Sequence, residues 1–185
     1  MTRLWLIRHG PTHARRMVGW TDLPADLSDT PAIERLSAAL PHAPVVSSDL
    51  IRATATADAI QGTRPRLPHS PALREFHYGE WENQAFDAID SPDLRAYFDD
   101  PGARRAPGGE SWDDVAARVH GAVGSMAGGT DLIVVAHMGV ILTLWARARG
   151  IPPYDALAQR IDNLSLTRID WSDGRLSAVD ANRCP

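Results

Sequence analysis

Hydrophobic and polar positions follow two rhythms along the chain. The unbroken apolar runs Leu4 to Ile7 and Leu132 to Ala136 suit strands buried on both faces of a sheet, and Pro44 to Ser47 reads as a shorter strand of the same kind. Between them, apolar residues recur three and four apart. Ile33, Leu36 and Leu40 predict a helix over 31–40, an Ala-rich stretch predicts another from Ser48 to about Ile60, and Val115, Val119 and Val123 predict a third over 111–126. A further helix carries Val140, Ile141, Leu144 and Trp145. Asp29 or Thr30 can cap the first helix ahead of Pro31, and Ser48 the second. Arg64 to Leu67 reads as a third short strand, and residues 83–106 are weakly helical with a break at Ser91-Pro92. Near the end, 163–170 and 176–179 flank the turn Ser172-Asp173-Gly174-Arg175, which predicts an antiparallel strand pair at a sheet edge. Strands interleaved with helices predict an α/β fold, a three-layer α/β/α sandwich with a mostly parallel sheet and an antiparallel edge.

Composition narrows the class without naming a chemistry. At 185 residues the chain suits a single domain with a full-sized core, spanning 1–185. A net charge of -4 argues against nucleic acid as a partner, although a local basic pocket is compatible with it. The only cysteine, Cys184, allows no internal disulfide and no cysteine-based metal site. The apolar run at the N-terminus is too short for a signal-peptide core, and no stretch reaches membrane-spanning length. The expectation is a soluble cytoplasmic protein with no membrane partner.

Candidate chemistry gathers at the ends of the predicted strands, where open α/β sheets bind ligands. The first strand stops at Arg8-His9-Gly10: a forked cation suited to phosphate, an imidazole able to attack or shuttle protons, and a residue that lets the backbone approach a bound group. His137 repeats that placement at the end of the strand at 132–136, just before a helix. Arg52 projects from the first turn of its helix, where the free N–H groups favour an anion, although a solvated surface arginine fits the same pattern. The stretch from Leu73 to Glu82 is dense in carboxylates and aromatics. Glu75 could act as a general acid if its aromatic neighbours bury it, and Glu80 or Glu82 would serve equally on this evidence. Thr12, Arg15, Arg16 and Trp20 lie on the following loop as secondary candidates, and His120 reads as a surface residue.

Taken together, these segments resemble the histidine phosphatase superfamily, the fold of cofactor-dependent phosphoglycerate mutase. Arg8-His9-Gly10-Pro11-Thr12 is similar to its Arg-His-Gly-x-Thr signature, and Ser48 to Ala57 resembles its second arginine segment. Leu73 to Glu82 is similar to its acidic segment and Val134 to Gly139 to its second histidine segment. The resemblance runs nearly the whole chain and implies a phosphohistidine at His9, with Glu75 as proton donor. Arg8, Arg52 and His137 would hold the phosphoryl oxygens, and no metal or other cofactor is required. It further implies that the two arginines keep Glu75 ionised until a phosphate dianion offsets them. Arg15 stands where the family often has a phosphate-binding asparagine. Residues 76–110 would form a cap-like insertion, and a homodimer would be in keeping with the family.

Three functions are compatible with these residues. A metal-independent phosphomonoesterase acting on a small phosphorylated metabolite leads, with some likeness to alpha-ribazole phosphatases in length and acidic segment. Phosphoglycerate mutases of the family are usually longer, with an inserted region for which 185 residues leave little room. A non-catalytic phosphate-binding module is the third, and the presence of all the expected reactive groups argues against it.

Overall fold

The structure, a computed structural model, describes all 185 residues. Five strands form one sheet in the order β2-β3-β1-β4-β5: β1 (Thr2–Arg8), β2 (Val45–Ser47), β3 (Leu132–Ala136), β4 (Leu166–Ser172) and β5 (Arg175–Arg183). β1 and β2 each pair parallel with β3, while β4 pairs antiparallel with both β1 and β5. The antiparallel edge thus holds two strands, joined by a tight turn with positive φ at Asp173 and Gly174.

Alternation along the strands sends side chains to two separate cores. Leu4, Leu6, Val46, Leu132 and Val134 pack with residues of α4 (Trp112–Met126) and α5 (Met138–Arg149). Ile7, Val45, Ile133 and Val135 face the other way, onto α1 (Thr30–Ala39) and α2 (Ile51–Gln61). Helices on both faces of the sheet make the three layers that the sequence predicts. No helix is long and apolar enough to cross a membrane.

Three local expectations change. Arg64 to Leu67 forms no strand; Arg66 makes only an isolated bridge to Val45. Arg64 instead turns its guanidinium onto the carbonyls of Ser37, Leu40, Pro41, Ile60 and Gln61, so one side chain serves the C-terminal ends of both α1 and α2. Ser48 does not cap α2. That helix begins at Ile51, and Asp22 from the preceding loop accepts the Ile51 N–H at 2.8 Å. Ser91-Pro92 starts a helix rather than breaking one: α3 (Pro92–Asp99) has Ser91 as its N-cap, accepting from Leu94 N, with proline in the first turn. The rest of 83–106 is irregular. The segment 76–110 closes at its base, where Glu110 N donates to the His77 carbonyl and His77 N donates to the Glu110 carboxylate. A short helix, α6 (Pro153–Leu157), precedes β4.

Candidate active site

Parallel pairing of β1 with β3 sets the site. Arg8 lies opposite Ala136, so His9 and His137 leave adjacent strands one residue later, and His9 N extends the ladder to the Ala136 carbonyl. Their rings meet edge to face with centroids 5.1 Å apart. The loop before β4 braces this corner: Asn163 Nδ2 donates to the His9 carbonyl, and Arg8 Nη1 donates to the Ile161 carbonyl.

His9 is fixed in one tautomer. Its Nδ1 lies 2.6 Å from the carbonyl oxygen of Gly10, which can only accept, so Nδ1 carries the proton. Nε2 therefore presents a lone pair, which accepts from Arg52 Nε at 3.2 Å. Burial, followed by the charges of Arg52 and Arg8, holds the His9 pKa down at about 3, so the ring is neutral near pH 7. His137 is fully buried, and burial first, then His9 and Arg52, keeps it neutral too. Neither of its ring nitrogens has a hydrogen-bond partner, and Arg8 Nε has none.

Arg52 is 1% exposed, although a solvated arginine was compatible with its sequence. Its Nη1 donates to the Thr21 carbonyl at 2.9 Å and its Nη2 to the Gly19 carbonyl, which aims Nε at His9. That turn is held in place by Glu82. One carboxylate oxygen accepts from Gly19 N, Thr21 N and Thr21 Oγ, the other from Trp20 N and Tyr78 N. Although burial opposes it, these bonds hold the Glu82 pKa below the usual range.

Of the three candidate acids, only Glu75 reaches the cleft. Glu80 is exposed and Glu82 is spent on the turn. Glu75 is buried, one oxygen accepting from Phe76 N and the other from Gly139 N in the first turn of α5. Gly139 is required here, because a Cβ would run into the Glu75 carboxylate and the Phe76 ring. Burial is the largest influence on Glu75 and moves its pKa upward, against the two backbone donors and the charges of Arg52 and Arg8, which pull toward the ionised form. The Glu75 carbonyl is clamped from two sides, by Trp20 Nε1 and Arg118 Nη2, each at 2.8 Å. Arg118 also binds the carbonyls of Ala72 and Arg74 and pairs with Glu110.

Arg8, His9, Thr12, Arg52 and Glu75 line one cleft of about 310 Å³, and Tyr78, Phe86, Phe98 and Met138 supply apolar wall. His137 is fully buried beside His9, edge to face with its ring. Arg15 is exposed and outside the cleft; its neighbour Arg16 lines it instead. Trp20 also stays outside, stacked under Arg74 and bound to the Glu75 carbonyl, so it supports the site rather than facing it. His120 is half-buried against the Trp171 ring.

Sequence reasoning missed Asp22, Asn163 and Arg118 and gave Glu82 a different role. All four act through contacts between distant segments, and only the density of charge between Leu73 and Glu82 pointed toward one of them.

Comparison with known proteins gives this constellation a family. A relative named glucosyl-3-phosphoglycerate phosphatase, from Mycolicibacterium vanbaalenii, is 40% identical over 174 residues, covering 81% of this chain and 75% of its own. A protein of Cronobacter sakazakii named "Probable phosphoglycerate mutase GpmB" is 29% identical, covering 92% and 86%. The solved mycobacterial glucosyl-3-phosphoglycerate phosphatase superposes with a TM-score of 0.84 at 31% identity, over 99% of both chains. Alpha-ribazole phosphatase from Shigella flexneri, at 24% identity, matches in fold alone, with a TM-score of 0.80 over 98% and 96%. The family model for the histidine phosphatase superfamily (branch 1) matches residues 4–183, and the chain belongs to that superfamily.

Proposed function

We propose that this phosphoric monoester hydrolase works without a metal, through a phosphohistidine on His9, on a small phosphorylated metabolite. The observation that carries the reading is the state of His9: neutral, with Nδ1–H pinned to the Gly10 carbonyl and the Nε2 lone pair directed into a cleft with arginines. In the first step Nε2 attacks phosphorus, and the P–O bond to the alcohol breaks. Glu75, whose raised pKa favours the protonated form, gives its proton to the leaving oxygen. In the second step Glu75 takes a proton from water, the oxygen attacks phosphorus, and the P–N bond breaks to return His9 and free phosphate.

Charge develops on the non-bridging oxygens during both steps. Arg8 and Arg52 supply fixed cations for them, and His137 an N–H donor, without reorganisation of solvent. The unpaired N–H of neutral His137 and the unpaired Nε–H of Arg8 support this reading, since a buried donor left unsatisfied costs about 1–3 kcal/mol and a phosphoryl oxygen would accept from it. Arg52 Nε would pass from His9 Nε2 to a phosphoryl oxygen as substrate enters, exposing the lone pair at the moment it is needed.

The test is phosphate release from p-nitrophenyl phosphate, sugar phosphates, 3-phosphoglycerate and alpha-ribazole phosphate, with excess chelator and with His9→Ala as control. Chelator-resistant release by the wild type alone, with an acid-labile phosphoenzyme trapped on quenching, is the expected result. Release unaffected by His9→Ala would sink the assignment of the nucleophile. The mutase-named relative keeps a second reading in play, and transfer between 2- and 3-phosphoglycerate with little release of phosphate would favour it.

A further inference from the structure

The reaction cleft adjoins a second cavity. Tyr78, Phe98 and Met138 line both, and Phe76, Trp112 and Leu142 complete an aromatic and aliphatic wall. The only charged residue lining this annex, Arg104, is exposed, and the Tyr97 hydroxyl on its wall is already committed to the Glu110 carbonyl. The side-chain polar groups without a partner in the protein include the Arg104 guanidinium at the exposed side and the hydroxyl of Tyr78, which the annex shares with the cleft, and the rest of the wall is largely apolar. Its position matters as much as its lining. Phe76 and Gly139, whose N–H groups hold the two oxygens of Glu75, both belong to the annex wall. The carboxyl group and the annex therefore lie on either side of the same two residues, so the carbon chain of an alcohol whose oxygen meets Glu75 would be close to the annex.

We propose that the annex receives the leaving group, and that preferred substrates are phosphate monoesters of alcohols with a short apolar segment rather than of polyols. This rests on the reading of Glu75 as proton donor. The annex has about 40 Å³ of open volume. That is room for roughly three waters, or a segment of about three to four carbons. A sugar or glycerate hydroxyl pressed against the Phe76, Leu142 and Leu157 part of the wall would give up its water without gaining a partner, whereas each methylene gains by leaving water.

A series of n-alkyl phosphates from ethyl to octyl tests this, because the leaving alcohols are of similar acidity and differ mainly in apolar length. The expected result is a rise in kcat/KM of about fourfold per methylene over roughly three carbons, then a plateau. Leu157→Phe, on the annex wall, is expected to bring the plateau one or two carbons earlier. Binding of n-alkylphosphonates, followed by calorimetry, should show the same trend without turnover. If Leu157→Phe does not fold, the two wild-type series decide. A flat or falling trend in both, with His9-dependent hydrolysis of p-nitrophenyl phosphate intact, overturns the annex and leaves the proposed function standing. Absence of His9-dependent hydrolysis of every ester overturns both.

Discussion

Replacing Glu82 by Gln keeps the shape of the side chain and removes half of its capacity to accept. In the wild type, Oε2 accepts from Gly19 N at 3.1 Å, Thr21 N at 3.1 Å and Thr21 Oγ at 2.6 Å. Oε1 accepts from Trp20 N at 2.7 Å and Tyr78 N at 3.1 Å. A glutamine has one acceptor oxygen and one NH2 group. Whichever way the amide is turned, two backbone N–H groups face another donor; the Thr21 hydroxyl alone can reverse its role and accept. Each orphaned N–H costs about 1–3 kcal/mol, and for this half-buried turn we take the lower part of that range, about 3 kcal/mol for the pair. At this chain length about 3 kcal/mol corresponds to a fall in Tm of roughly 6–12 °C. The carbonyls of the same turn hold both Nη atoms of Arg52, so its guanidinium should lose its aim as well. The expected outcome is a lower Tm by circular dichroism together with a kcat/KM reduced about tenfold, on the order of 1.4 kcal/mol of transition-state stabilisation. A Tm within about 2 °C of wild type would refute the hydrogen-bond argument, and normal kinetics in a destabilised variant would refute the link to Arg52.

Other expected outcomes concern Glu75 and the histidines. Gly139→Ala drives a Cβ into the Glu75 carboxylate, and kcat should fall by about 10²-fold or more as the proton donor is displaced, with the phosphate product still binding; wild-type turnover would refute the packing. Because first turnover needs Glu75 protonated and its pKa is raised, kcat/KM should fall as pH rises through that pKa, and Glu75→Gln should abolish this limb along with most activity. His9 must be neutral but titrates only at about 3, so no acid limb should appear between pH 5 and 7; one appearing there would show that the ring is less buried than described. For stability the signs differ. His9 and His137 have folded pKa values below the unfolded value of about 6.5, so the unfolded chain binds more protons and Tm should decline as pH falls from about 6.5. Glu75 contributes the opposite sign, its share being lost as pH rises above the unfolded value of about 4.5. His9→Gln should flatten the decline of Tm between pH 7 and 5, and an unchanged slope would contradict the burial assigned to the ring.

Legibility in the sequence followed the range of the interaction that decides each feature. β1 and β3 were readable because their apolar runs are contiguous, and His9 and His137 because they stop those runs. Ser111 and Pro31 announce α4 and α1 through local start signals, and both helices form where expected. Ser48 misled because α2 takes its cap from Asp22, 29 residues away in sequence. Arg64 to Leu67 misled because four residues read alone cannot reveal that Arg64 is used as a helix terminator. Glu82 looked like Glu75 on paper, since both are carboxylates among aromatics. What separates them is the burial that raises one pKa and the five donors that lower the other. Arg15 and Arg16 differ by one position, and only the path of the loop decides which faces the cleft.

Arg64 has a consequence for motion. Its guanidinium bonds carbonyls at the ends of α1 and α2 together, so neither terminal turn can fray without breaking contacts of the other. Amide exchange in the last turns of the two helices should therefore be governed by one shared opening event, with similar protection on both sides. Since Arg52 lies in the first turn of α2, a rivet at the far end of that helix would make it move as a rigid lever, with α1 following any shift of the arginine in the cleft.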